Sequence, residues 1–221
     1  MKTHSKILLT IVALTLVGVT SAQEAPEVSY DGLVKIDKGR LKLTYVDPDV
    51  DFSVYTKYMP GGAQFQFRAV KKTSSTMARR SNQREFWLSD ADKQKLEDTV
   101  REVFTEELAK SETFTATDEP GPDTLIIRGA LHDIVSQVPP DNIGRGEIYL
   151  SSVGEATLVL EAVDSLSGEV IYRGIERRVA ERPAGTPIRS STVTTWAEVR
   201  RLARRWATAL REGMDSIHDL Q

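Results

Sequence analysis

The sequence contains no cysteine among its 221 residues. A chain without thiols cannot form a disulfide scaffold, a thiolate zinc site or an iron–sulfur cluster, and it has no cysteine nucleophile. It also cannot carry a lipid on a cysteine, which excludes a lipoprotein anchored in that way. Stability must therefore come from a packed core, and a chain of this length is long enough to bury one.

Histidine is almost as scarce, with three residues in the chain. His4 lies near the N-terminus, and His218 lies near the C-terminal end of a predicted helix, where a cation is ordinary. His132 lies in an apolar predicted strand, so the adjacent Asp133 should point to the opposite face of that strand. We therefore interpret His132 as a structural residue and predict no catalytic residue.

Motifs that would hold a metal ion or a cofactor are also missing. The sequence has no HExxH and no GxSxG pattern. Carboxylates alternate over residues 47–51, but the positions that follow lack the glycine and the glutamate of a calcium loop. The glycines of residues 60–62 and 144–146 lack the context of a phosphate-binding loop and are interpreted as turns. We predict no metal ion and no cofactor.

No apolar run reaches the roughly 18 residues that a membrane-spanning helix needs. The nearest candidate, residues 7–19, follows Lys2 and Lys6 and precedes the small residues Ser21 and Ala22. A positive segment, a short apolar segment and small residues in this order are typical of a secretory signal peptide. We predict a signal peptide over residues 1–22, cleaved near Ala22, and a periplasmic mature protein with no transmembrane span.

The remaining composition is that of a globular protein, with 40% hydrophobic and 28% charged residues and a formal net charge of −3. The length fits one domain. Residues 23–40 mix glycine, proline and charged residues with few apolar ones and are predicted to form a flexible N-terminal arm. Residues 41–221 are predicted to form a single domain.

Apolar periodicity predicts the elements of that domain. Short strands are expected near residues 41–46, 52–58 and 65–67, a buried central strand over 125–135, and a β-hairpin over 156–179 with its turn at Gly168. One helix should begin at Ser89 as N-cap and end near Lys110, and a second should span residues 195–219. This order predicts an α+β fold, with a mainly antiparallel sheet and two amphipathic helices packed on one face.

Arginines are concentrated near the C-terminus. The predicted last helix carries Arg200, Arg201, Arg204 and Arg205 opposite its apolar stripe. Such a cluster either is solvated and paired within the protein or binds an anionic partner. If it is functional, the expected partner is an envelope protein or an anionic surface. Nucleic acid is disfavoured by the predicted secretion and by the sequence pI of about 5.7.

Several motifs occur in an order that resembles one bacterial family. They are residues 45–48 followed by Tyr55, the entry into a strand at 120–125, the hairpin turn at 164–169, and Trp196 with Trp206 on the last helix. Together they resemble a cell-envelope family classed as a domain of unknown function and numbered thirty-three thirteen. The resemblance covers residues 40–215 and implies a periplasmic α+β domain. Many members are lipoproteins, from which this chain departs by lacking the cysteine.

The sequence therefore favours an exported, non-catalytic envelope protein that acts through protein or anionic-surface contacts. One alternative is a binder of a small ligand or lipid between helix and sheet, which requires an apolar cavity of roughly 300–1,000 Å³. Another alternative is a hydrolase that uses His132 with carboxylates. That alternative requires a concave site in which the imidazole of His132 lies within about 3 Å of an acid.

Overall fold

The computed structural model describes residues 27–72, 84–139, 148–182 and 186–216. The predicted signal peptide, residues 1–22, lies outside these ranges, as do the residues of the predicted last helix beyond 216. The strands are β1 (Val34–Ile36), β2 (Leu43–Val46), β3 (Lys57–Phe67), β4 (Thr115–Ala116), β5 (Thr124–Ser136), β6 (Tyr149–Leu150), β7 (Ser152–Asp164), β8 (Val170–Glu181) and β9 (Ile188–Arg189). The α-helices are α1 (Asp90–Leu108) and α2 (Thr192–Asp215), and a short 3-10 helix spans Phe52–Val54.

The main sheet has seven strands in the order β1-β2-β8-β7-β5-β3-β4, and β6 pairs separately with β9. Neighbours from β1 to β5 are antiparallel, whereas β3 runs parallel to both β5 and β4. The sheet is therefore mixed: four of its six neighbouring pairs are antiparallel, as expected of a mainly antiparallel sheet, and the two pairs that involve β3 are parallel. The chain between β3 and β5 contains α1. Two parallel neighbours need a long connection that carries the chain back to the starting end of the first strand, and α1 is part of that connection.

Strand β3 joins two stretches that the sequence pattern places in separate short strands. Its register with β5 shifts between Pro60 and Ala63, and Gly62 has a φ of +86°. Glycine adopts this left-handed backbone without the steric cost of a side chain. Residues 60–62 therefore form a bulge inside one long strand and do not form the expected turn.

Both helices begin at serine N-caps. The side chain of Ser89 accepts a hydrogen bond from the backbone N–H of Asp92, which confirms the predicted start of α1. Ser191 accepts from the N–H of Thr194, and the Thr194 hydroxyl accepts in return from the N–H of Ser191. This reciprocal cap starts α2 earlier than the apolar stripe alone indicates.

The helices pack on one face of the sheet and share its main apolar core. Val103 of α1 and Leu210 of α2 belong to the same buried cluster as Leu125 of β5 and Leu158 of β7. Alternate residues of β7 enter this core, as the pleat of a strand requires. The expected arrangement of two helices on one face is thus present, and it leaves the other face of the sheet uncovered by either helix.

The predicted N-terminal arm is packed where the structure describes it, from residue 27 onward. Strand β1 within this segment pairs with β2, and Leu33 is only 1% exposed. The Nη2 atom of Arg173 on β8 lies 2.6 Å from Oδ2 of Asp31 and forms an ion pair with it. Residues 27–40 have few apolar side chains, but strand pairing and one buried leucine still hold this segment against the rest of the domain. The described part of the predicted flexible arm is therefore ordered.

Candidate functional site

A cavity of about 300 Å³ lies between the two helices and one end of the sheet. All three tryptophans of the sequence line it, namely Trp87, Trp196 and Trp206. Further apolar walls come from α1, β5, β7 and α2. They include Leu96, Val100, Leu131, Ile134, Val153 and Leu202. We call this space the tryptophan cavity.

The tryptophans reach the cavity from two parts of the chain. The N–H of Phe86 donates a hydrogen bond of 2.8 Å to the carbonyl of Ser136 at the end of β5. This bridge holds Trp87 at the sheet end, immediately before α1 begins. Trp196 and Trp206 both belong to α2. The cavity therefore depends on α2 packing beside the segment that precedes α1.

The cavity has a deep wall and an open side. Trp206 is 1% exposed and forms part of the deep wall. Ser191 and Thr192 also line the cavity and are exposed, so the cavity reaches solvent at the start of α2. The ammonium of Lys95 lies 4.4 Å from the ring centroid of Trp196. A cation over the face of an indole is attracted by the ring, so this contact orders both side chains.

Few polar groups inside the tryptophan cavity lack a partner. The carboxylate of Asp92 accepts a hydrogen bond of 2.6 Å from Ser89. Glu155 is paired with Arg68 and Arg177. The hydroxyl of Thr195 is different, because it is buried and has no hydrogen-bond partner among the described residues. A buried hydroxyl without a partner costs free energy, which a ligand with a polar atom at that point would offset.

A second cavity, of about 240 Å³, adjoins the tryptophan cavity. Its charged lining residues are Arg68, Lys72 and Lys93, so all of them are cations. The Lys72 ammonium lies 4.7 Å from the ring centroid of Trp87, and Trp87 lines both cavities. We call this second space the cationic cavity.

The sequence patterns place Trp196 and Trp206 on the apolar stripe of the last helix but do not indicate Trp87. All three converge only because the tertiary fold brings the end of β5 beside α2. The volume of the tryptophan cavity meets the lower limit that the ligand-binding alternative requires. The sequence does contain a signal for this cavity. Trp87 lies two residues before the N-cap Ser89, and Trp196 and Trp206 lie on the helix that Ser191 starts.

His132 lies away from both cavities, on the face of the sheet opposite the helices. Its Nδ1 lies 2.8 Å from the side-chain oxygen of Gln66 on β3. An amide cannot take up a proton as a carboxylate does, so this contact lacks the acid that the hydrolase alternative requires. The structure thus brings His132 to a neutral partner.

Asp133, beside His132, does not follow the expected alternation of the strand. Its φ is +55°, and the register between β5 and β7 shifts after His132. The resulting bulge turns Ile134 into the core and directs Asp133 to Arg68, whose Nε lies 2.7 Å from Oδ1. Hydrogen bonding to this guanidinium lowers the pKa of Asp133 and raises the pKa of Arg68.

The uncovered face of the sheet is crossed by ion pairs. Arg68 also pairs with Glu85 and Glu155, and Arg177 joins Asp133 at 3.1 Å. Farther along the sheet, Arg173 lies between Asp31 and Glu161. The hydrogen bond from Arg173 lowers the pKa of Asp31. Each of these charged side chains has a partner of opposite charge, so this face of the sheet carries a network of ion pairs.

The four arginines of the predicted anionic-partner surface divide into two pairs. Arg200 contacts Glu102 of α1 at 3.0 Å, and Arg201 pairs with Glu198. Arg204 and Arg205 are exposed, and neither forms an ion pair with a carboxylate in the described part of the chain. Of the predicted anionic-partner surface, Arg200 and Arg201 are thus paired within the protein, and Arg204 and Arg205 have no ion pair to a described carboxylate.

Two further properties concern the described residues as a group. Across residues 27–72, 84–139, 148–182 and 186–216, no three His, Asp or Glu side chains are grouped so that they could hold a metal ion. Of the helices in these ranges, neither combines the length and the apolar character needed to cross a membrane.

Three solved structures are similar to this chain at low sequence identity. A PelC dodecamer from Paraburkholderia phytofirmans is 9% identical, with 76% of this chain and 94% of that chain covered and a TM-score of 0.34. A proposed homolog of the neuraminyllactose-binding hemagglutinin from Helicobacter pylori is 11% identical, with coverage of 75% and 88% and a TM-score of 0.39. A proposed lipoprotein from Caulobacter crescentus is 13% identical, with coverage of 55% and 82% and a TM-score of 0.33.

The family comparison is more specific. A search among curated proteins gives no match. The model of the DUF3313 family, described as a protein of unknown function, matches residues 23–210. This range covers most of the sequence, including all described strands and both helices except the last residues of α2, and it confirms the resemblance drawn from the motifs. The chain belongs to the DUF3313 family of proteins of unknown function.

Proposed function

We propose that this protein is a non-enzymatic binding protein that holds a small apolar or amphiphilic molecule in the tryptophan cavity. The observation that carries the proposal is the convergence of all three tryptophans on one cavity of about 300 Å³. A cavity of this size lined by aromatic rings is the usual form of a small-molecule site.

The hydrophobic effect would supply the affinity. Each methylene group that leaves water for the cavity contributes about 0.8 kcal/mol, which corresponds to roughly a fourfold lower Kd. A series of straight-chain alcohols should therefore bind more tightly with each added carbon until the cavity is full. Beyond that length the affinity should stop rising, because additional carbons remain in water.

The test measures Kd for this series by titration calorimetry and by tryptophan fluorescence. Val199 lines the cavity, so Val199→Phe should fill part of it and weaken binding by about tenfold or more. Val193 lies on the same helix, is 81% exposed and does not line the cavity, so Val193→Phe is the matched control. If Val199→Phe is unstable by circular dichroism, Val199→Leu serves as a milder variant. Equal Kd values for the folded Val199 and Val193 variants would refute the proposal.

We also propose that the protein is exported to the periplasm. Residues 1–22 carry the signal-peptide pattern, and the family match begins at residue 23, where the mature chain should start. Mass spectrometry of the protein from a periplasmic fraction should give Gln23 as the first residue. The variant Ala22→Arg should leave the precursor uncut, since the cleavage site needs a small residue. Purified protein that retains Met1 and fractionates with the cytosol would contradict export.

A second candidate function is contact with an anionic surface through Arg204 and Arg205. The supporting observation is that both are exposed on α2 without an ion pair to a described carboxylate. Arg204→Glu with Arg205→Glu should abolish co-sedimentation with vesicles that contain phosphatidylglycerol. Vesicles of phosphatidylcholine alone provide the control. Equal sedimentation of variant and wild type would exclude this surface.

A further inference from the structure

The tryptophan cavity and the cationic cavity adjoin each other. Five residues line both, namely Trp87, Leu88, Ile134, Val135 and Ser136. Trp196 and Trp206 line the tryptophan cavity alone, and the cationic side chains line the cationic cavity alone. A molecule that occupied both spaces would meet an apolar lining at one end and positive charge at the other.

The cations of the second cavity differ in how far they are already paired. Arg68 is held by Glu85, Asp133 and Glu155, so it is not available to a ligand. Lys93 contacts Asp90 at 3.0 Å, but Asp90 is 98% exposed. A pair open to water in this way contributes little free energy and exchanges readily for another anion.

Lys72 is the most available of these cations. It forms no ion pair with a carboxylate in the described ranges, and its ammonium lies 4.7 Å from the ring centroid of Trp87. Trp87 lines both cavities, so the charge of Lys72 is placed where one cavity meets the other. An anion that contacts this ammonium is within reach of the apolar space behind the indole.

We infer that the ligand is an amphiphile with an anionic headgroup. Its apolar part occupies the tryptophan cavity, and its headgroup pairs with the ammonium groups of Lys72 and Lys93 in the cationic cavity. This inference rests on the proposed function, and it adds the chemical class of the ligand. The hydroxyl of Thr195 contributes separately, as a donor inside the apolar space.

The test compares decanoate, decanol and decyltrimethylammonium, which share one chain and differ in headgroup charge. We expect decanoate to bind about fivefold more tightly than decanol, since an exposed ion pair is modest in strength. Decyltrimethylammonium should bind more weakly than either. The preference for decanoate should shrink at high salt, because salt screens exposed charges.

Variants assign this preference to the two lysines. Lys72→Gln with Lys93→Gln should make decanoate and decanol bind equally while the affinity for decanol stays unchanged. Lys42 is exposed and lines neither cavity, so Lys42→Gln should keep the preference. If wild-type protein binds decanol and decanoate equally, or if the double variant keeps the preference, the headgroup inference fails and the proposed function stands. If no compound of the three binds, both fail.

Discussion

The indole Nε1 of Trp206 donates a hydrogen bond of 3.1 Å to the Oε2 atom of Glu176. The two residues are 30 positions apart, one on α2 and one on β8, and they are 1% and 8% exposed. The same carboxylate accepts a bond of 2.6 Å from Nε of Arg178. This buried contact fixes the ring that forms the deep wall of the tryptophan cavity.

Replacing Trp206 by phenylalanine should therefore destabilise the protein by about 1–3 kcal/mol. The substitution removes one of the two hydrogen bonds that the Glu176 carboxylate accepts, and a lost hydrogen bond to a buried charged group costs about this much. Urea denaturation of wild type and Trp206→Phe measures the difference. Trp196→Phe is the control, since Trp196 is only half-buried and should change stability less. Equal stability of the two variants would show that the contact to Glu176 contributes nothing.

Acid should destabilise the protein through Glu107, which is buried on α1. The hydrogen bond from Lys110, with further bonds from Thr208 and Arg211, lowers the pKa of Glu107 below its ordinary value of 4.5. A carboxyl group whose pKa is lower in the folded state contributes stability that is complete above the unfolded pKa and is lost as the pH falls through the folded pKa. The free energy of unfolding should therefore fall below about pH 4.5.

The variant Glu107→Gln isolates this effect. It should be less stable than wild type at neutral pH and should lose less stability on acidification, because the titrating group is absent. Denaturant titrations over a pH series measure both quantities. An unchanged acid dependence in Glu107→Gln would mean that other carboxylates, such as Asp215, control the transition.

Gly154 on β7 should not tolerate a side chain. A Cβ atom at this position would lie 2.4 Å from the backbone carbonyl oxygen of Val135 on β5. Gly154→Ala should therefore force the two central strands apart and cost about 1–3 kcal/mol. Gly129→Ala is a matched control in β5, since its Cβ would meet the side chain of Leu160 at 3.4 Å. Thermal denaturation of both variants compares the costs, and a smaller cost at Gly154 would contradict the close approach.

The bulge at Asp133 gives a prediction about backbone strain. At a φ of +55°, asparagine is better tolerated than a β-branched residue. Asp133→Asn should lose the ion pair with Arg68 but keep the backbone, whereas Asp133→Val should lose both and be less stable by about 1–2 kcal/mol. The melting temperatures of the two variants check this order. Equal values would argue that the bulge carries no steric cost.

The sequence predicted correctly those helix ends and turns that are fixed by residues close together in the chain. The N-cap of α1 at Ser89 follows from a serine and two acidic residues before an apolar stripe. The β7–β8 hairpin follows from two apolar stretches around Gly168, whose φ is +77°, and Asp164 accepts from the turn N–H groups as such turns require. These features need no information from the rest of the chain.

Predictions that depended on an assumed regular strand differ from the structure. The bulge at residues 60–62 joins two expected strands into β3, and the bulge at Asp133 reverses which residues of β5 face the core. A single inserted residue shifts every later side chain to the opposite face. The pairing of β3 with β5 in parallel likewise depends on where α1 packs, which the order of elements alone does not specify.

By itself, the sequence determined the absence of thiol chemistry, the export pattern, the α+β class, the family, and the helices and hairpin that local caps and turns specify. Only the tertiary structure decided that Trp87 meets Trp196 and Trp206, that His132 contacts Gln66, and that Arg200 and Arg201 are paired within the protein. The physical reason is distance along the chain. A cap or a turn is set by neighbours a few residues away, whereas a cavity and an ion pair depend on how whole elements pack.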